Sequence, residues 1–180
     1  MKKIIQIFLL AIAILGQNSL SAQEPTALNL EFVCELKVTT DKGMAVGTTA
    51  HGKRRIVPIT GGTFEGPKIK GVVLNGGADY QFVNEENTRT EIEAIYNLKT
   101  DDGVLIHIRN VGVIHKTKEQ AEAIKKGEPV DANKIYFRAV PTFNAPMNSK
   151  YDWLNNAIFI SKGISSGGKG YVTIQVWKVL

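Results

Sequence analysis

The amino-acid sequence predicts an all-β fold, an antiparallel meander that forms a closed or nearly closed β-barrel of about 8–10 strands with one short helix. Apolar and polar residues alternate over many short segments, and turn residues separate these segments. Glycine pairs at Gly61-Gly62 and Gly76-Gly77 lie inside or beside apolar segments. A strand can bend sharply at such glycines, as it must where a sheet curves to close on itself.

The first strand has the clearest pattern in the chain. From Leu28 to Val38 every second residue is apolar, and the residues between are mostly polar. This alternation is typical of a strand with one buried face. Cys34 is in phase with the apolar residues, so we expect a small buried core residue rather than a reactive thiol. The further strands are predicted, in chain order, at residues 44–49, 54–64, 69–74, 78–83, 90–99, 104–113, 135–143, 151–161 and 171–180.

Turn residues join these strands. Asp102-Gly103 lies between two alternating segments, a strong signal for a hairpin. Asn75-Gly76-Gly77 likewise predicts a tight hairpin between residues 69–74 and 78–83. Pro58 lacks an N–H to donate to a neighbouring strand, so we expect it at a sheet edge or a bulge.

One helix is predicted after the strand at 104–113. Thr117 and Gln120 have the spacing of a capping box, and Lys125-Lys126 suit the negative end of a helix. Gly127 and Pro129 are expected to end it.

The N-terminus has the pattern of a signal peptide. Met1-Lys2-Lys3 supplies positive charge, residues 4–15 are apolar, and small residues precede a predicted cleavage after Ala22. An uncleaved anchor is the alternative. Cleavage would leave residues 23–180 as a single domain without a membrane span, located in the periplasm or secreted.

The charge of the mature chain argues against a nucleic-acid partner. Removing residues 1–22 takes away Lys2 and Lys3 and no acidic residue, so the net charge falls from +5 to +3. The remaining bases are scattered, and in Lys53-Arg54-Arg55 an extended chain points the middle residue away from its neighbours. We expect no continuous cationic face.

No metal or cofactor is expected from the motifs. The three histidines have no metal-ligand spacing. Gly163 to Lys169 resembles a phosphate-binding loop, but Gly170 replaces the required Ser or Thr and a strand pattern follows in place of a helix.

Seven polar or aromatic residues lie among apolar ones and are candidates for lining a ligand cavity in the barrel. They are Glu65, Asp79, Tyr96, Arg138, Tyr151, Trp153 and Asn155. A barrel of about eight strands is either filled by side chains or holds one small ligand. The opposing interpretation is a buried ion pair of Arg138 with Glu65 or Asp79, with aromatic residues filling space.

Several motifs together resemble one known family, the bacterial and fungal domain of unknown function 3237. The motifs that carry the resemblance are Gly61-Gly62-Thr63-Phe64-Glu65-Gly66-Pro67, Gly76-Gly77-Ala78-Asp79, Thr100-Asp101-Asp102-Gly103, Tyr136-Phe137-Arg138 and Tyr151-Asp152-Trp153-Leu154-Asn155. The resemblance covers nearly all of the chain after about Leu28. It implies a small antiparallel β-barrel and no agreed activity. Tyr80 departs from the family, which commonly has Trp after Gly-Gly-Ala-Asp.

Three functions remain open from the sequence. The first is binding of a small, partly apolar or aromatic organic molecule in the barrel. The second is a cofactor-free isomerase, cyclase or lyase, with Glu65 or Asp79 as general acid or base and Arg138 stabilising negative charge. The third is a structural or partner-binding protein with a packed interior.

Overall fold

The computed structural model describes residues 26–180. The predicted signal peptide lies outside the described residues and stays a prediction. Within residues 26–180 none of the helices combines the length and the apolar character that a membrane-spanning helix requires.

Within this part of the chain ten strands form one antiparallel sheet. They are β1 (Leu30–Thr40), β2 (Met44–Thr49), β3 (Gly52–Glu65), β4 (Lys70–Val73), β5 (Gly77–Val83), β6 (Arg89–Thr100), β7 (Leu105–His115), β8 (Tyr136–Asn144), β9 (Phe159–Ser165) and β10 (Tyr171–Val179). The helix α1 (Lys118–Lys126) lies between β7 and β8. Two 3-10 helices, Ala132–Lys134 and Asp152–Asn156, lie in the loops.

The sheet closes on itself. Its strand order is β1-β10-β9-β8-β7-β6-β4-β3, and β3 pairs again with β1. The predicted all-β barrel is therefore confirmed as a closed barrel of eight strands, with β2 and β5 as additional strands. Pro58 lies in β3 opposite Ala78 of β5. On the other side of β3 it falls between the residues that pair with β2 and those that pair with β1, so the missing N–H interrupts the ladder with neither of these two strands.

The predicted hairpin at Asn75-Gly76-Gly77 is wrong. Both β4 and β5 pair with β3 on one side and with β6 on the other, and they do not pair with each other. The segment is an irregular connection between β4 and β5, which occupy the same position in the barrel wall one after the other. Two hydrogen bonds hold it, from Leu74 N–H to Asn97 O at 2.8 Å and from Gly76 N–H to Ile59 O at 3.3 Å. In contrast, the hairpin predicted at Asp102-Gly103 is confirmed as the β6–β7 turn.

The predicted strand at residues 151–161 is partly wrong, because its first half is the 3-10 helix Asp152–Asn156 and β9 begins only at Phe159. The Asn155 side chain accepts a hydrogen bond from Ala145 N (2.8 Å) and donates to Ala145 O (3.0 Å). These bonds to the chain after β8 hold the segment in a compact turn. Strand alternation cannot reveal such a contact.

The interior of the barrel differs between its two ends. One end is filled by close-packed apolar side chains, among them Leu36, Phe64, Leu98, Phe143 and Phe159, and Cys34 is buried there as predicted. The rings of Phe143 and Phe159 pack edge to face with centroids 5.0 Å apart. The other end contains a cavity, which is described below.

The helix α1 has the capping box that the sequence predicts. Thr117 Oγ1 accepts from Gln120 N–H at 3.2 Å, and Gln120 Oε1 accepts from Thr117 N–H at 2.8 Å. Gly127 ends the helix with φ of 78°.

We expect Thr117→Ala to lower the free energy of unfolding by about 1 kcal/mol in urea titrations, because the cap is lost. Thr117→Ser keeps the cap and should stay near the wild type; equal stability of the two variants would contradict the prediction.

Candidate functional site

The candidate site is a cavity of about 180 Å³ at one end of the barrel. Most of the strands contribute to it, because inward-facing residues of a closed sheet converge on its axis. The apolar lining residues are Val38, Val57, Ile59, Ile92, Ala94, Ile114, Phe137, Val172 and Ile174. The polar or partly polar lining residues are Thr40, Arg55, Asp79, Gln81, Tyr96, Asn110, Ser165 and Tyr171. Arg55 and Ser165 are exposed, so the cavity reaches solvent beside them.

Asp79 of β5 brings a carboxyl group to the cavity. Gln81 Nε2 donates to Asp79 Oδ2 at 2.5 Å, and the buried Asp79 Oδ1 has no hydrogen-bond partner among the described residues. Burial raises the pKa of Asp79, while the Gln81 hydrogen bond, the backbone N–H of Glu93 and the charge of Arg55 oppose that rise. A buried carboxyl group with one unsatisfied oxygen is costly unless a proton, a water molecule or a ligand satisfies it.

Tyr96 of β6 lines the same cavity, with only 2% of its surface exposed. Burial raises the pKa of Tyr96, and the nearby Cys34 and Asp79 add to the rise. Burial also raises the pKa of Cys34 to about 12, so the thiol stays protonated and behaves as a core group. Tyr96 is therefore a neutral hydroxyl that can donate a hydrogen bond inside the barrel.

Two buried amides in the cavity were not predicted from the sequence. Gln81 is 6% exposed and Asn110 is 2% exposed. Asn110 Oδ1 lies 3.5 Å from the hydroxyl of Ser161. Strand alternation could have identified both residues, since Gln81 is two residues after Asp79 and Asn110 is in phase with the buried Ile108.

Glu65 and Arg138 do not lie in the cavity, contrary to the prediction that all seven residues line one opening. Both are exposed residues on the outside of the barrel. Arg138 Nη1 donates to Phe137 O at 2.9 Å, and its guanidinium lies 5.3 Å from the ring centre of Tyr136. The proposed buried ion pair of Arg138 with an acid is also absent from the described residues.

Tyr151, Trp153 and Asn155 lie together, but away from the cavity, against the packed end of the barrel. Tyr151 Oη donates to Asp102 Oδ1 at 2.8 Å, and Trp153 packs on Phe159 with ring centroids 6.0 Å apart. Hydrogen bonds from Thr100, Lys150 and Tyr151 lower the pKa of Asp102. These contacts hold the loop before β9 against the β6–β7 turn. They stabilise the fold and do not contribute to the cavity.

Two of the seven predicted residues, Asp79 and Tyr96, thus share the cavity. Their arrangement combines a carboxyl group whose pKa is raised by burial, a neutral hydroxyl and amides within apolar walls. Such groups can bind the oxygen atoms of a small organic molecule, or exchange a proton with it. Within residues 26–180 no three His, Cys, Asp or Glu side chains gather in a way that could hold a metal ion.

Comparison with known proteins identifies the family. The model of the family described as "Protein of unknown function (DUF3237)" matches residues 28–179. The chain belongs to the DUF3237 family. A relative, UPF0311 protein CA_C3321 of Clostridium acetobutylicum, is 39% identical over 134 residues, which covers 74% of this chain and 84% of the relative.

Solved structures of similar proteins share the barrel. The crystal structure of the conserved protein of unknown function RPA1785 from Rhodopseudomonas palustris has 34% sequence identity and a TM-score of 0.79, covering 87% of this chain and 100% of that chain. A protein of Acinetobacter baumannii described as β-barrel like has 34% identity and a TM-score of 0.75, covering 88% and 99%. The DUF3237 resemblance seen in the sequence motifs is confirmed by the match of the family model to residues 28–179.

Proposed function

We propose that the protein binds a small, partly apolar organic molecule in the cavity of the barrel. The observation that carries the proposal is the buried carboxyl group of Asp79, whose Oδ1 is unsatisfied within an otherwise largely apolar cavity. A ligand with a hydrogen-bonding oxygen or nitrogen would satisfy this group, and its apolar part would contact Ile92, Ala94 and Phe137.

The size of the cavity limits the ligand. An engineered apolar cavity of about 150 Å³ in another protein binds benzene. The cavity of about 180 Å³ therefore suits a body of roughly one ring, with further atoms extending to the opening beside Arg55 and Ser165.

A variant that fills the cavity tests this function. Ala94→Leu places three extra carbon atoms against Tyr96 and Ile92, whereas Ala123→Leu on α1 adds the same atoms outside the barrel. In native mass spectra of gently purified protein, and in ligand-observed NMR with single-ring compounds, we expect binding to the wild type and to Ala123→Leu. Binding should be lost in Ala94→Leu. Equal binding to all three, or to none, would contradict the proposal.

A second candidate function is that of a cofactor-free isomerase, cyclase or lyase. The raised pKa of Asp79 favours it, because a carboxyl group that holds its proton at higher pH than usual can act as a general acid and then as a base. Glu65 and Arg138, which the sequence offered for these roles, are outside the cavity. Tyr96 and Asn110 are the remaining donors that could stabilise a developing negative charge.

We also propose that the protein acts in the periplasm or is secreted. The basis is the charged, apolar and small-residue order of residues 1–22. The intact mass of exported protein should correspond to a chain that begins at Gln23. A mass that includes residues 1–22 would refute cleavage at this position.

A further inference from the structure

The opening of the cavity has a positive charge on its rim. Arg55 of β3 is in phase with Val57 and Ile59, so its side chain starts from the inner face of the strand. It lies opposite Gln81 of β5 in the sheet register, two register positions nearer the end of the barrel than Val57 and Asp79. The guanidinium is therefore the charged group that a molecule entering toward Asp79 would pass.

The charge of Arg55 is not neutralised by an ion pair. None of the ion pairs formed among residues 26–180 includes Arg55. The nearest acidic group in the cavity is Asp79, which burial biases toward its neutral form. A second basic side chain, the half-buried Lys116, is also close to Arg55. Burial lowers the pKa of Lys116, and repulsion from the charge of Arg55 lowers it further. This rim therefore favours an anionic group.

The rim and the interior have complementary chemistry. The interior offers apolar walls of Ile92, Ala94 and Phe137, and the uncharged donors Tyr96 and Asn110 lie among them. A guanidinium binds a carboxylate through two parallel hydrogen bonds, and a single arginine is enough for that geometry. A molecule with an apolar ring and one carboxylate would satisfy both regions together.

We propose that the ligand class is a small organic carboxylate whose body is about the size of one ring, with the carboxylate bound at Arg55 and the ring inserted toward Tyr96 and Asp79. This inference rests on the proposed binding function and specifies its ligand. Arg55 is then a residue that determines specificity for the charged group.

The test compares two probes of nearly equal shape, 4-hydroxybenzoate and its uncharged analogue 4-hydroxybenzamide, by isothermal titration calorimetry. For the wild type we expect the carboxylate to bind about 10-fold to 100-fold more tightly than the amide, the range of one charge-assisted contact. Arg55→Met should lower carboxylate affinity to the level of the amide and leave amide affinity unchanged. Arg54→Met is the matched control, because Arg54 is the outward neighbour that lies over Phe82, 4.0 Å from its ring centre, and it should behave as the wild type.

The outcomes separate this inference from the proposed function. If both probes bind equally and Arg55→Met changes neither affinity, the carboxylate class is wrong while binding in the cavity stands. If neither probe binds but other single-ring compounds bind in an Ala94→Leu-sensitive manner, the carboxylate class is again wrong. If no compound binds, both proposals fail. If a thermal melt shows that Arg55→Met is destabilised, Arg55→Gln provides a second uncharged variant. The same loss of carboxylate affinity is expected for it.

Discussion

Gly62→Ala is expected to destabilise the barrel by about 2 to 5 kcal/mol, because it disturbs the strand pair that closes the sheet. Gly62 of β3 lies opposite Val38 of β1 and has φ of 134°, a conformation that residues with a side chain rarely adopt. That strain costs about 1–2 kcal/mol. An added Cβ would also overlap the carbonyl oxygen of Lys37, and overpacking costs about 1–3 kcal/mol more. Urea unfolding followed by circular dichroism measures the sum.

The neighbouring glycine separates the two causes. Gly61 has φ of 139°, nearly the same as Gly62, but a Cβ added there would have its nearest neighbour, Val73 O, at 3.4 Å. Gly61→Ala should therefore show the backbone strain alone and lose only about 1–2 kcal/mol. If Gly61→Ala and Gly62→Ala were equally destabilised, the close approach of β1 and β3 would not explain why position 62 requires a glycine.

Much of the fold was predictable because strand alternation is a local property. Each of β1, β6, β7 and β8 buries every second residue along most of its length, and the sequence pattern of each reports that directly. The relation of β4 to β5 was not predictable in this way. A glycine turn and a glycine interruption have the same local composition, and only pairing with β3 and β6 distinguishes them.

The candidate site was predictable in part, and the errors follow from the period of a strand. Successive side chains point to opposite faces, so a polar residue directly beside a buried one faces outward. Glu65 follows the buried Phe64, and Arg138 lies between the buried Phe137 and Ala139, so both are exposed. The same alternation correctly places Tyr96 on one face with the buried Ile92 and Ala94.

The remaining errors concern residues outside the strands. Tyr151, Trp153 and Asn155 share one face only if the segment is extended, and it is instead a 3-10 turn. Its conformation depends on bonds to Ala145 and Asp102, which are distant in sequence. Arg55, in contrast, lies in a strand, and alternation with Val57 and Ile59 places it on the cavity side although it was not among the predicted site residues.

Asp79→Asn is expected to remove a pH-dependent loss of stability that the wild type shows. Because burial raises the pKa of Asp79, the folded state holds this proton at pH values where the unfolded chain, with an ordinary pKa of 3.8, has released it. The unfolded state then binds fewer protons, so wild-type stability falls as pH rises from about 3.8 through the raised pKa. Asparagine cannot ionise, and its oxygen can still accept the hydrogen bond from Gln81. The stability of Asp79→Asn relative to wild type should therefore increase with pH, by about 1.4 kcal/mol for each unit by which the pKa is raised.

Urea titrations of both proteins at several pH values between about 4 and 8 measure this difference. The series starts near the ordinary pKa of a carboxyl group and extends upward, because the pKa of Asp79 is raised. Glu65→Gln is the control for the loss of a carboxyl group at an exposed position, since Glu65 lies at the exposed end of β3. The same Asp79→Asn variant bears on the two candidate functions, because binding that needs only a hydrogen-bonding group should survive, while proton transfer should not. A difference that stays constant with pH, or that falls, would mean that Asp79 ionises at least as readily in the folded protein as in the unfolded chain. In that case the carboxyl group could not serve as the general acid, and the enzymatic candidate would lose the observation that favours it.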